Sequence, residues 1–187
     1  MNTRILFFLF VITLLQSCES IDDKIFLCDK KDTYAFDVGY FSPSIINVYR
    51  DYEKGLACAK ENDCLTLIHF TWYGSSTHKF EDKVLLNRTV QKFLREDFLL
   101  IQVYVDNPKE LPKEEQEWID FNDKKKHIRT YGHKNTQLQI SMFNHNSQPL
   151  FVILNSNGEQ ISEPWGYIKD PNIFIKKMEN ALVKINQ

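Results

Sequence analysis

The strongest constraint on the fold is a pair of apolar runs with a helical pattern between them. "LTLIHFTWY" occupies residues 65–73 and "FLLIQVYVDN" occupies 98–107. Both are rich in β-branched and aromatic residues, as suits strands buried on both faces. The segment between them, 76–97, places Phe80, Val84, Val90, Phe93 and Leu94 on one helical stripe with charges between. Two strands joined through a helix run parallel in one sheet, because a parallel pair needs a long crossover.

Elements on either side extend this unit. "IINVYRDYEKGLACAK", from Ile45 to Lys60, repeats Val48, Tyr52, Leu56 and Ala59 at helical spacing, and "ENDC" ends the pattern. Residues 108–135 are polar and lysine-rich, so they read as a surface insertion, with "LPKEEQEWIDF" a short helix opened by Pro112. "TQLQISMF" is another short helix. "NSQPLFVILNSNGEQISEPWGY" predicts a strand, a turn on "NSNGE" and a second strand, since Asn-Gly between β-rich runs is a hairpin signal. "DPNIFIKKMENALVKI" closes the chain as an amphipathic helix, with Asp170 as N-cap and Pro171 at its first position. The order predicts one α/β domain over residues 45–187, a central mixed sheet flanked by helices.

The first residues do not belong to that domain. "MNTR" gives a positive start and "ILFFLFVITLL" is an apolar run too short to span a bilayer comfortably. The "LQSC" that follows resembles the lipobox of bacterial lipoproteins. The resemblance implies a signal peptide over residues 1–17 and a mature chain that begins at an acylated Cys18. It also implies a membrane partner through that anchor. Residues 18–44 then form a tether and lead-in. The acidic "ESIDDK" resembles export signals of surface lipoproteins, although a solvated linker reads the same. The expected location is the bacterial cell envelope, at the outer membrane, facing the periplasm or the exterior. A formal net charge of −2 offers no basic excess for nucleic acid.

With Cys18 acylated, Cys28, Cys58 and Cys64 remain. Three thiols in an oxidising compartment leave one over after any single disulfide. Cys58 and Cys64 flank a helix end and its turn, and they can bridge only if their Cα atoms come within about 7 Å. A structural disulfide between them, two buried thiols, and a bond from Cys28 to either are the readings open here. None of the three forms a C-x-x-C pair.

Three stretches resemble the thioredoxin superfamily, and within it the thioredoxin-like domain of the thiol:disulfide interchange family. They are "YEKGLACAKENDCLTLIHFTWYG", "KFLREDFLLIQVYVDN" with the following "LPKEEQ", and "NSQPLFVILNSNGE". The resemblance covers about residues 45–185. It implies that Pro149 is the cis-proline of that fold and that the insertion sits between the second core strand and the helix before this proline. It also implies that Ser75, Ser76, Thr77 and His78 stand where relatives carry Cys-x-x-Cys. His69 then takes the place of a buried acid. A helix N-terminus lowers a thiol's pKa enough to make it a nucleophile, whereas a serine hydroxyl is too weak an acid and forms no disulfide. Dithiol exchange at these positions is therefore excluded by chemistry.

Other chemistries compete for the same residues. Ser75 with His78 as base would make a hydrolase, but no acid is evident to orient His78 and the G-x-S-x-G elbow is missing. A serine there reads more simply as an N-cap. His69 and His78, with His133 or His145, would suit zinc or copper. Without a tight ligand motif, His69 reads as a hydrogen-bonded core residue, and no cofactor is implied. Trp72, Tyr73, Gln148, Pro149 and Trp165 are expected to line a surface groove. In relatives such a groove holds an extended segment of the partner; packing against the lead-in is the competing use. The expected function is that of a membrane-anchored envelope protein which binds a protein or peptide and has lost its dithiol chemistry. The alternative is thiol-disulfide interchange through the other cysteines.

Overall fold

The computed structural model describes residues 48–74, 78–121 and 123–185, with only the backbone of 78–80 and 82. The two apolar runs form β2 (Leu65–Thr71) and β3 (Phe98–Tyr104). They pair in parallel from Leu65↔Phe98 to Thr71↔Tyr104. A short strand, β1 (Val48–Tyr49), pairs in parallel with the far side of β3. Farther along the chain, the strand Leu150–Leu154 runs antiparallel to β2. The mixed sheet, with helices on both faces, is the one the sequence predicts.

Strand alternation divides the core in two. Leu65, Leu67, Phe98, Leu100 and Val48 face a layer built from α2 (His78–Leu85), α3 (Arg88–Glu96) and the C-terminal helix Pro171–Ile185. Ile68, Phe70, Leu99, Ile101 and Val103 face α1 (Tyr52–Glu61) and the helix Tyr131–Phe143. Every residue of β2 is buried. Each large apolar side chain so buried contributes about 1.5–3 kcal/mol, and the polar ones in the strand are tolerable only with partners.

Several boundaries differ from expectation. The first helix starts at Tyr52 because Asp51 takes an extended backbone and accepts the Lys54 N–H at 3.0 Å, an N-cap that leaves Val48 and Tyr49 to the sheet. It ends in a Schellman turn: Asp63 has φ 47, and Cys64 N–H reaches Ala59 O at 3.1 Å. The expected helix over 76–97 is two helices, split where Asn87 caps α3 by accepting from Thr89 N–H at 2.9 Å.

The insertion is a hairpin, not a helix. After a 3₁₀ turn at Lys113–Glu115, β4 (Glu117–Phe121) and β5 (Lys124–Ile128) pair antiparallel. Trp118, Ile119 and Phe121 favour a pleated strand, and Asp123 takes φ 60 at the turn. The neck of the insertion is laced shut. Leu111 N–H bonds Arg129 O at 2.9 Å, Tyr131 N–H bonds Lys109 O at 3.0 Å, and Gly132 N–H bonds Asn107 O at 2.9 Å. Gly132 lies so close that a Cβ would stand 2.7 Å from Asn107 N and 2.8 Å from Val105 O.

The next helix, α4 (Tyr131–Phe143), is longer than expected because Thr130 caps it. The last strand, β6 (Leu150–Leu154), is followed by a turn at Gly158, φ +83. Its expected partner strand is reduced to isolated bridges, Leu154↔Gln160 and Phe151↔Trp165. Pro164, which has no N–H, interrupts that return. Helix α5 (Pro171–Ile185) begins as predicted, with the Asp170 carboxylate accepting from Asn172 N–H at 2.9 Å. Among the described residues no helix is long and apolar enough to cross a membrane.

Candidate functional site

The parallel strands β1, β2 and β3 all end on one edge of the sheet, at Arg50, Trp72–Gly74 and Tyr104–Asn107. In open α/β sheets this is the edge at which ligands bind. His69 and Thr71 on β2, and Gln102 and Tyr104 on β3, alternate in step and share the face of the sheet covered by α2, α3 and α5.

These residues form a polar chain inside an otherwise apolar core. Arg50 Nη1 donates to Gln102 Oε1. Gln102 Nε2 lies 3.0 Å from His69 Nδ1, and His69 Nε2 lies 2.9 Å from Glu81 Oε2. Thr71 Oγ1 donates to the same carboxylate oxygen at 2.8 Å. Donor and acceptor roles propagate from the arginine. A guanidinium only donates, so the Gln102 oxygen must face it and the Gln102 NH₂ must face the ring. Nδ1 therefore accepts and carries no proton, which assigns the neutral Nε2–H tautomer to His69. The protonated nitrogen is the one at Glu81. His69 is 0% exposed and Glu81 1% exposed, so neither relies on water. The imidazole also stacks on Phe151, 4.3 Å between centroids and 9° between planes. Glu81 lies in the first turn of α2, where the helix dipole favours a negative charge.

Above this network the edge carries an aromatic ledge. The Tyr73 ring stacks on Tyr104 at 4.1 Å, and the Arg50 guanidinium sits 5.2 Å from the Tyr104 centroid. Burial pushes the Tyr104 phenol above its ordinary pKa, and the charge and hydrogen bond of Arg50 pull the other way. The Asp106 carboxylate accepts the Tyr73 N–H at 2.9 and 3.0 Å, pinning the start of the loop. Trp72 is 44% exposed and Tyr73 56% exposed.

Other expected groove residues divide. The Gln148–Pro149 bond is cis. Buried Gln139 on α4 fastens the loop before it, donating to Ser147 O at 2.9 Å and accepting from Gln148 Nε2 at 2.9 Å. Trp165 is not a groove wall. It is buried, stacked on Phe151 and edge-on to Phe174, with Lys177 over its ring, because the bridge to Phe151 draws it into the core.

Ser75, Ser76 and Thr77 lie outside the described residues, as do Cys18 and Cys28; His78 opens α2, and its side chain is likewise outside. Cys64 is a buried thiol and Cys58 is disulfide-bonded, so the pairing of Cys58 with Cys64 is not made. A sulfur makes one disulfide, and that of Cys58 goes elsewhere; its Sγ also accepts from the Tyr49 hydroxyl at 3.1 Å. Cys58 lies in the C-terminal half of α1, and Cys64 immediately precedes β2, a seven-residue strand away from Thr71. At about 3.3 Å per residue that is roughly 20 Å from the site edge.

His133 begins α4, the helix on the other face of the sheet, so it is not brought to His69. Burial, then Lys126 and Arg129, hold its pKa below the usual histidine value. Among the described residues no group of three His, Cys, Asp or Glu side chains is placed to hold a metal ion. Glu81, Gln102, Thr71, Arg50 and Gln139 escaped the sequence reading. For Gln102 the signal was present in part, as the one amide in an apolar strand.

No family model matches the chain, and no curated protein matches it either. Solved structures do. A thioredoxin from Thermus thermophilus aligns with a TM-score of 0.53 at 18% identity, over 74% of this chain and 88% of that one. A thioredoxin-fold protein from Helicobacter pylori gives 0.45 at 22% identity, over 63% and 68%. A disulphide isomerase from Xylella fastidiosa Temecula1 gives 0.42 at 18%, over 72% and 88%. The first of these likenesses carries the fold: the chain has a thioredoxin-like fold, with a mixed sheet and helices on both faces.

Proposed function

We propose that this chain is a lipid-anchored envelope protein in which a thioredoxin-like scaffold binds an extended segment of a partner and does not exchange disulfides. One observation carries the reading. Cys64 lies just before β2, at the end of that strand away from the site, and Cys58 lies in the half of α1 that leads to it, while the edge that would hold a dithiol carries Trp72, Tyr73 and Tyr104 above a buried His69–Glu81 pair. Exposed aromatics beside the Gln148–Pro149 loop offer apolar contact, and backbone groups at that loop suit a strand-like ligand. Serine and histidine at positions 75 and 78 provide neither a nucleophilic thiolate nor a resolving thiol.

A second reading, thiol-disulfide interchange, is favoured by the disulfide at Cys58. Insulin reduction by dithiothreitol separates the two, using the chain and a Ser75→Cys/His78→Cys variant. The native chain is expected to be inactive and the variant to accelerate precipitation. Catalysis by the native chain, abolished by Cys58→Ser, would overturn the binding reading. For the ligand, a photo-crosslinker at position 73 in native envelopes is expected to trap a partner. That adduct should be lost when Trp72 and Tyr104 are both alanine; trapping indifferent to those changes counts against the ledge.

A further inference from the structure

We propose that the Arg50–Gln102–His69–Glu81 chain is a proton-gated switch that controls the aromatic ledge: proton uptake on His69 Nδ1 turns over the Gln102 amide and frees Arg50. The inference is independent of the binding reading, since it concerns what the buried chain does to the edge whatever the edge meets.

Which atoms can donate sets the direction of every link. In the neutral state each link runs one way, from Arg50 to Gln102 Oε1 and from Gln102 Nε2 to His69 Nδ1. One proton arriving from solvent at Nδ1 makes that nitrogen a donor facing a donor. Gln102 relieves the conflict by rotating its amide, so that Oε1 accepts from Nδ1–H. Its NH₂ then points at the guanidinium, which has no acceptor to offer. The conflict is passed outward and Arg50 must leave. No covalent bond changes other than the new N–H.

The proton goes to the imidazole because Glu81 is held as a carboxylate. Thr71 donates to it at 2.8 Å, and it lies in the first turn of α2. Imidazole is also the side chain whose ordinary titration lies nearest neutrality. Among the described residues, the charged and titratable groups on this side are few. Glu81 comes from α2, Arg50 from the end of β1 and Tyr104 from β3, and Tyr104 feels both of those charges. Strand β6 presents only the Phe151 ring, and Lys177 of α5 stops at the Trp165 ring, 5.0 Å from its centroid. Because Arg50 also lies over Tyr104, which stacks on Tyr73, its departure uncovers one face of the exposed ledge.

The test is a pH titration of the full chain, purified in detergent and ¹⁵N-labelled, by nuclear magnetic resonance. Long-range ¹H–¹⁵N correlations read the tautomer of His69, while side-chain signals report Gln102 and Arg50. The expected result is the Nε2–H tautomer at neutral pH. On acidification, the His69 imidazolium, the Gln102 amide shift and the Arg50 shift should share one midpoint. In Gln102→Glu, whose carboxylate accepts from both neighbours, the His69 midpoint should rise by more than about one pH unit, a tenfold gain in proton affinity, with Arg50 unmoved. An Nδ1–H tautomer at neutral pH overturns the proposal. So does an Arg50 signal indifferent to the His69 titration, or a His69 that stays neutral until the chain unfolds. Should Gln102→Glu not fold, the native titration decides alone.

Discussion

A histidine with no exposed surface, in a strand buried on both faces, has to be balanced by specific partners, and the partners differ in what their loss should cost. Glu81→Ala removes the carboxylate that lies 2.9 Å from His69 Nε2 and takes the acceptor from the Thr71 hydroxyl in the core. It is expected to destabilise the chain by about 3 kcal/mol, read by urea unfolding. Glu81→Gln keeps an oxygen in place and should cost about 1 kcal/mol. Equal losses in the two variants would mean that the carboxylate's charge, not its acceptor role, is what the site uses. At this scale the sequence was half legible. His69 stood out as a polar residue within β2, and the resemblance put it where relatives hold a buried acid. Glu81 did not stand out, because a carboxylate on an amphipathic helix reads as solvated until the helix is docked. Gln102 became its neighbour through the parallel register, His69↔Gln102, which no local pattern specifies.

Among the elements, continuous apolar runs were read correctly and short or capped ones were not. Strands β2 and β3 are long and β-rich, so packing and propensity agree. The insertion misled because Pro112 and its acidic neighbours look like a helix start, whereas Trp118, Ile119 and Phe121 prefer a pleat, and the pleat prevailed. The split at Asn87 has the same origin, a cap that competes with a helical stripe running through it. Gly132 tests how tightly the insertion is closed. Its Cβ would meet backbone at 2.7 Å, which cannot rotate away, so Gly132→Ala should lose about 3 kcal/mol. At Gly74 a Cβ meets nothing within 4 Å, and Gly74→Ala should change stability by less than about 0.5 kcal/mol in the same experiment. A mild Gly132→Ala would mean that the neck opens readily.

For the whole molecule, the sheet and its two helical layers were legible because one parallel pair with a crossover leaves few topologies. Strand β1 was not, since two residues carry no period. The anchor is a question at this scale too. Replacing Cys18 by alanine should move the chain from the membrane pellet to the soluble fraction after cell lysis; a chain that still sediments would remove the lipobox reading. The laced neck at Asn107–Lys109 and Arg129–Gly132 has a consequence of a different kind. Beyond that throat Glu115 accepts from Lys134 of α4 at 3.1 Å, and the hairpin presents Trp118, 63% exposed, to solvent. What lies past the throat is expected to behave as a cassette: shortening, recoding or exchanging it should leave the register of β2 and β3 untouched. A lineage that keeps the throat is free to try new surfaces on an unchanged chassis.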